Sequence, residues 1–136
     1  MKRTLVALDA SPRAPDVLER AIEMARVYGG KLDVFRAVEI PPEIELVGVL
    51  EKRAREDLAE LVKDAPEELL GSVTVAVGVP WQAICRAAEK VDADLIVIGS
   101  HGYSGLERLI GTTAAKVVNH ADRSVFVVRE RNARGR

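Results

Sequence analysis

"DLIVIGSHGYSGLERLIGTTAAKVV", Asp94 to Val118, runs four consecutive apolar residues into a glycine-rich segment and then into a helical pattern. Leu95 to Ile98, enclosed by Asp94 and Gly99, is apolar on both alternating faces. That suits a central strand covered on two sides, as parallel sheets require. Thr112 to about Asn119 reads as a helix. Between them stand Gly99, Gly102, Gly105 and Gly111, more glycine than a helix cap needs.

Working outward from this stretch, the same alternation recurs. Val73 to Val77 reads as a strand, "GVP" turns the chain, and Trp81 to Val91 places Ile84, Ala87, Ala88 and Val91 on one helical face. Downstream, "SVFVV" (Ser124–Val128) reads as a fifth strand. Upstream, Thr4 to Leu8 is a short apolar run closed by Asp9. A helix follows, with Leu18, Ala21, Ile22 and Ala25 at i, i+3, i+4, i+7. Ser11 offers a capping acceptor, Pro12 stands where no amide donor is needed, and Gly29-Gly30 ends the helix. Leu32 to Val38 reads as the second strand. "EIPPEIELVGV" has the prolines of a connection, where a mobile loop is expected, and from about Val49 the residues Leu50, Ala54, Leu58, Leu61 and Val62 form a further stripe. Strands alternating with helices predict an α/β fold, a five-stranded parallel sheet with helices on both faces and right-handed crossovers.

Composition narrows the function classes. The 136 residues, 48% hydrophobic and 30% charged, can bury one core of ordinary size, so a single domain over 1–130 is expected, with 131–136 as a frayed tail. Net charge is −1 with acids and bases interspersed, which argues against nucleic acid as a partner. One cysteine, Cys85, permits no internal disulfide. The apolar part of "MKRTLVALDA" is too short for a signal peptide or a membrane span, so a cytoplasmic protein without membrane attachment is expected.

In parallel sheets of this kind ligands bind beyond the carboxyl ends of the strands, at the point where strand order reverses. Two loops therefore carry the interest: "DAS" (Asp9–Ser11) and the glycine segment. Glycines let backbone amides approach a ligand, and the amino end of the last helix, at Gly111, Thr112 and Thr113, carries partial positive charge. Together they make an anion site, to which the threonine hydroxyls add donors unless they cap the helix. Neither G-x-G-x-x-G nor a P-loop is present. Gly102-Tyr103-Ser104-Gly105 falls short of a nucleophile elbow, and two histidines and one cysteine offer no zinc spacing. No catalytic residue and no protein metal site is assigned.

Gly99-Ser100-His101-Gly102, a spacer, and Gly111-Thr112 resemble the glycine signature of the universal stress protein family. "LVALDASPRA", "GVPWQAI" and "VVNHADRSVFVVR" extend the resemblance over nearly the whole chain, apart from Pro41 to Gly48. It implies a Rossmann-like fold of the adenine nucleotide alpha hydrolase type, a homodimer and, in the glycine-bearing branch, ATP as ligand. The implied nucleotide-binding residues are Ala7 and Asp9 near the adenosine, Ala37 against adenine, Gly99 and Gly102 at ribose and phosphate, and Gly111, Thr112 and Thr113 around the triphosphate. Mg would arrive with ATP, held mostly by phosphates and water, with Asp9 as an outer ligand. One departure is plain: Tyr103 to Ile110 is eight residues where the usual spacer is nine.

Simpler roles stand beside these. Asp9 also suits a turn, the glycine segment a plain connector, His101 loop shaping, Trp81 packing, Lys116 solvent, and Cys85 a buried thiol. A nucleotide-binding stress or signalling module is the leading reading. A dimeric scaffold of the same family that does not bind ATP is the alternative. A response-regulator receiver would need a cluster of acids around Asp9 and a lysine at a later strand end, and neither is present. Any ATP turnover is expected to be slow, because no P-loop lysine or arginine is placed to stabilise transferring charge. The homodimer is expected through "SVFVV", the last strand, at a sheet edge.

Overall fold

The computed structural model describes residues 2–100 and 110–129. In chain order the elements are β1 (Arg3–Ala7), α1 (Ala14–Tyr28), β2 (Lys31–Val38), α2 (Val47–Val62), β3 (Leu70–Val77), α3 (Pro80–Lys90), β4 (Leu95–Gly99), α4 (Thr112–His120) and β5 (Ser124–Val128). All neighbouring strands pair in parallel, in the order β3-β2-β1-β4-β5. The five-stranded parallel architecture expected from the alternating pattern is the one observed. The stretch "EIPPEIELVGV", expected as a loop, contains a 3-10 turn, Ile44–Leu46, and its last three residues, Val47 to Val49, already belong to α2.

Two cores explain the apolar runs. On one face Val6, Leu8, Val34 and Val97 meet Leu18 and Ala21 of α1 and Leu58 of α2. On the other, Leu5, Phe35, Ile96 and Ile98 meet Ile84 and Ala88 of α3 and Val117 of α4. Because both faces of β4 are packed, Leu95 to Ile98 are all buried, and each such side chain contributes about 1.5–3 kcal/mol. Thr4 is enclosed among them, its Oγ1 buried with no hydrogen-bond partner among the described residues.

Several boundaries differ from the sequence reading by a residue or more, and two of them have a clear local reason. α1 begins at Ala14, with Arg13 as its cap residue and Pro15 in its first turn. Ser11 is held back in the preceding loop: its N–H donates to Asp9 Oδ1 at 3.0 Å, while its Oγ accepts the Arg13 N–H at 3.2 Å. The other end is as read. Gly29 takes φ 76° and donates to Ala25 O at 2.9 Å, a left-handed cap that favours glycine.

β3 begins at Leu70, three residues before Val73, although Gly71-Ser72 looks like a turn in sequence. The cause lies on β2. Asp33 Oδ1 accepts both the N–H and the hydroxyl of Ser72 at 2.8 Å, so a side chain draws these residues into the sheet. Arg3 completes the group with Nε on Oδ2 at 2.9 Å and Nη2 on Oδ1 at 2.7 Å. Burial alone would raise the Asp33 carboxyl, but the hydrogen bonds from Arg3 and Ser72 outweigh it and hold it below the usual carboxylate range. Glycine at position 71 suits this packing: a Cβ there would lie 2.5 Å from Asp33 Oδ1, so the ion pair would have to shift.

Candidate functional site

β1 lies between β2 and β4, and the chain leaves β1 and β4 toward opposite faces, through α1 and α4. The carboxyl ends of these two strands therefore border the crevice at which strand order reverses. Ala7 is opposite Ile98 across this border, one residue before Gly99. Asp9 follows as an exposed residue whose carboxylate shapes the turn into α1 by accepting the Ser11 N–H.

The floor beside it is low. Ala7, Ala37 and Ala76 lie on the α3/α4 side of three adjacent strands, with Ala37 opposite Ala76 in the register. Their side chains stop at Cβ, and Ala37 and Ala76 remain partly exposed. Phe35, Leu5 and Ile96, further from the edge, fill the same face with larger groups.

On the β4 side, Ser100 is the pivot. It is 5% exposed, its N–H donates to Val128 O, and its carbonyl accepts the Gly111 N–H, both at 2.9 Å. These bonds bring the amino end of α4 back to the strand it left. They also correct the expectation that the Gly111 amide is offered to a ligand, because Ser100 already engages it. Thr112, Thr113 and Ala114 remain as first-turn positions whose N–H groups have no acceptor within the helix. The cap residue Gly111 has no side chain with which to cap this end, and no acid stands in its first turn. Thr112 is exposed, Thr113 half-buried, and Lys116, as expected, exposed one turn on.

The reason for the glycines also changes. Gly111 has φ −62°, and Gly99 is outside the left-handed region, so neither backbone conformation requires glycine. Gly102, His101 and the rest of the spacer through Leu109 lie outside the described residues, as does the tail expected at 131–136.

Arg36, which the sequence reading passed over, belongs to this neighbourhood. It points to the α1/α2 side, with Nε on Leu8 O at 2.9 Å and Nη2 on Asp9 O at 2.8 Å. Its signal in sequence is a charge inside the apolar run of β2. Away from the crevice, Trp81 packs on His120 with ring centroids 4.3 Å apart, in keeping with a packing role. Cys85 is half-buried rather than buried. Burial, helped by Glu89 and Asp122 against Arg123, pushes its thiol up and away from reactivity. Among the described residues no cluster of three or more His, Cys, Asp or Glu could hold a metal ion, and no helix is long and apolar enough to cross a membrane.

Residues 1–129 match the model of the Universal stress protein family. Universal stress protein A homolog 1 of Coxiella burnetii is 34% identical over 140 residues, spanning 93% of this chain and 95% of its own. Among solved structures, protein MJ0577 of Methanocaldococcus jannaschii has a TM-score of 0.83 at 22% identity, over 97% of this chain and 98% of that one, a likeness of fold. The universal stress protein of Archaeoglobus fulgidus, solved in complex with dAMP, has a TM-score of 0.71 at 26% identity, over 95% and 98%. The fold is thus the α/β sandwich of adenine nucleotide alpha hydrolase-like proteins.

Proposed function

Because the chain belongs to the universal stress protein family, we propose that it binds an adenine nucleotide, ATP, at the carboxyl edge of β1 and β4 and acts as a homodimeric stress-response or signalling module. The observation that carries this reading is the amino end of α4. It is returned to the strand-order reversal by the Ser100–Gly111 bond, with three first-turn amides that have no acceptor within the helix, two threonines and no acid. Such an end attracts phosphate through its dipole and its amides together. Support also comes from the dAMP bound by the Archaeoglobus fulgidus relative.

In this reading adenine lies over the low floor of Ala7 and Ala37, and Asp9 faces the adenosine. Gly99 and Gly102 admit ribose and phosphate without a side chain in the way. Thr112 and Thr113 donate amide and hydroxyl hydrogens to the phosphates, and Gly111 gives room for that approach. Mg accompanies the triphosphate, with Asp9 as an outer ligand. Among the described residues of this arrangement none is placed to stabilise transferring charge, and turnover of bound ATP is expected to stay well below ~1 s⁻¹.

Calorimetric titration of ATP, AMP and adenosine into the parent, Thr112→Ala and Gly102→Val tests the assignment. Thr112→Ala weakens ATP by roughly ten- to a hundredfold, the loss of one charge-assisted hydrogen bond, and leaves adenosine nearly unchanged. Gly102→Val weakens ATP more by filling the space phosphate needs. If folded Gly102→Val binds ATP as tightly as the parent, the phosphate assignment is withdrawn. If the parent binds none of the three, the chain is the scaffold.

A further inference from the structure

Arg36 is 5% exposed, close to the carboxyl end of β2, yet it makes no pair inside the sheet comparable to Arg3–Asp33. Enclosing a guanidinium is costly unless its donors are used. Here they are used on backbone: Nε bonds Leu8 O at 2.9 Å and Nη2 bonds Asp9 O at 2.8 Å. Nη1 faces Asp57 of α2 at 3.6 Å, and Asp57 is itself exposed. Burial lowers the pKa of the guanidinium, opposed by Asp57 and then Asp9, and the group stays charged.

Leu8 and Asp9 are the residues at which the chain leaves β1 for the crevice. The Leu8 N–H is fixed on Phe35 O at 2.9 Å, and Asp9 Oδ1 on the Ser11 N–H. Of the three carbonyls between the Leu8 and Ser11 amides, Arg36 takes the first two, those of Leu8 and Asp9. With planar, preorganised donors, one side chain holds two successive peptide groups, something a lysine ammonium does less well.

We propose that Arg36 is a positioning residue for adenosine recognition: by clamping Leu8 O and Asp9 O it fixes the backbone that carries the Asp9 carboxylate at the nucleotide edge. This role rests on the nucleotide reading above. Through Asp57 the same guanidinium joins α2 to that loop, so β1, β2 and α2 are fastened at one point beneath the adenosine end.

Arg36→Met keeps an apolar stem and removes every donor, and it tests the role by two readouts. AMP is titrated calorimetrically into the parent, Arg36→Met, Asp9→Ala and the double variant, each checked by circular dichroism. Exchange of the Ser11 amide is followed by NMR without nucleotide. The expected result is a roughly tenfold weaker AMP affinity in Arg36→Met, with no further loss when it is added to Asp9→Ala. Ser11 exchange rises while the Leu8 amide stays protected. Should Arg36→Met fail to fold, Arg36→Lys enters the same comparison, with smaller changes in the same directions. Unchanged AMP affinity in a folded variant, additive losses in the double variant, or unchanged Ser11 exchange overturns the proposal alone. A parent that binds no AMP overturns the nucleotide reading, and the recognition role of Arg36 with it, even where Ser11 exchange rises.

Discussion

Arg3→Met measures what the ion pair at the amino-terminal edge of the sheet contributes. Asp33 is completely buried and takes two hydrogen bonds from Arg3, at 2.9 and 2.7 Å, and two from Ser72 at 2.8 Å. Removing the guanidinium leaves a buried carboxylate with Ser72 and no counter-charge. Breaking a buried pair from one side costs about 3–5 kcal/mol, and the two bonds retained from Ser72 place this case near about 3 kcal/mol at pH 7.5. The pH dependence has a definite sign. In the native protein the Asp33 carboxyl is held below its ordinary value, so its contribution is present above about pH 4 and is lost as pH falls through the lower folded value. In the variant burial is no longer outweighed, the carboxyl is raised, and the folded variant takes up a proton as pH falls toward 4. The stability gap between parent and variant therefore narrows by about 1 kcal/mol or more between pH 7.5 and pH 4.5. Urea denaturation followed by circular dichroism at both pH values reads it directly. A gap below about 1 kcal/mol at pH 7.5, typical of an exposed pair, or an equal gap at both pH values refutes the reasoning.

Three further outcomes follow from the same structure. Gly71→Ala, whose Cβ would lie 2.5 Å from Asp33 Oδ1 and 2.6 Å from Arg3 Nη2, lowers stability by about 2 kcal/mol, read as a fall in Tm; an unchanged Tm would show that the pair yields freely. Thr4→Val removes a buried hydroxyl without a partner among the described residues and raises stability by about 1 kcal/mol in urea denaturation; a loss would mean that the hydroxyl has an acceptor in the native protein. Val127→Pro tests the proposed dimer. The bond from Ser100 N–H to Val128 O sets the phase of the β4–β5 ladder, so Ser124, Phe126 and Val128 face β4, and the amides of Val125 and Val127 face the open edge. The substitution therefore removes an edge donor while sparing the ladder, and light scattering at micromolar concentration should show a dimeric parent and a monomeric variant. A monomeric parent would end the proposal.

The parts of the fold legible in the sequence are those fixed by local pattern. β4 could be read because packing on both faces demands an unbroken apolar run, and α1 could be followed to its end because Gly29 takes a conformation that favours glycine. The start of β3 could not, since Gly71-Ser72 owes its extended state to Asp33, 39 residues from Ser72 in sequence. The start of α1 was misplaced for a similar reason: Asp9 and Ser11 use their hydrogen bonds on the loop, and Pro15 rather than Pro12 enters the first turn. At the candidate site, the crevice and the interest in Asp9, Gly99 and Thr112 follow from strand order and loop position, whereas Ala7 entered only through the family resemblance. That the Gly111 amide is already taken, and that Arg36 clamps two carbonyls, depends on contacts between segments 11 and 27 to 28 residues apart, which no local window contains.

The Ser100–Gly111 bond has a bearing on how this protein tolerates change in chain length. The chain departs from β4 at Ser100 and enters α4 at Gly111, and these two residues are bonded to each other at 2.9 Å. Lengthening the chain inside such a junction moves neither β4 nor α4, and the added closure entropy for one residue is on the order of 0.1 kcal/mol. A spacer of eight residues between Gly102 and Gly111, instead of nine, is therefore compatible with an unchanged helix end. The bond thus fixes where the helix begins independently of the number of residues between its two partners.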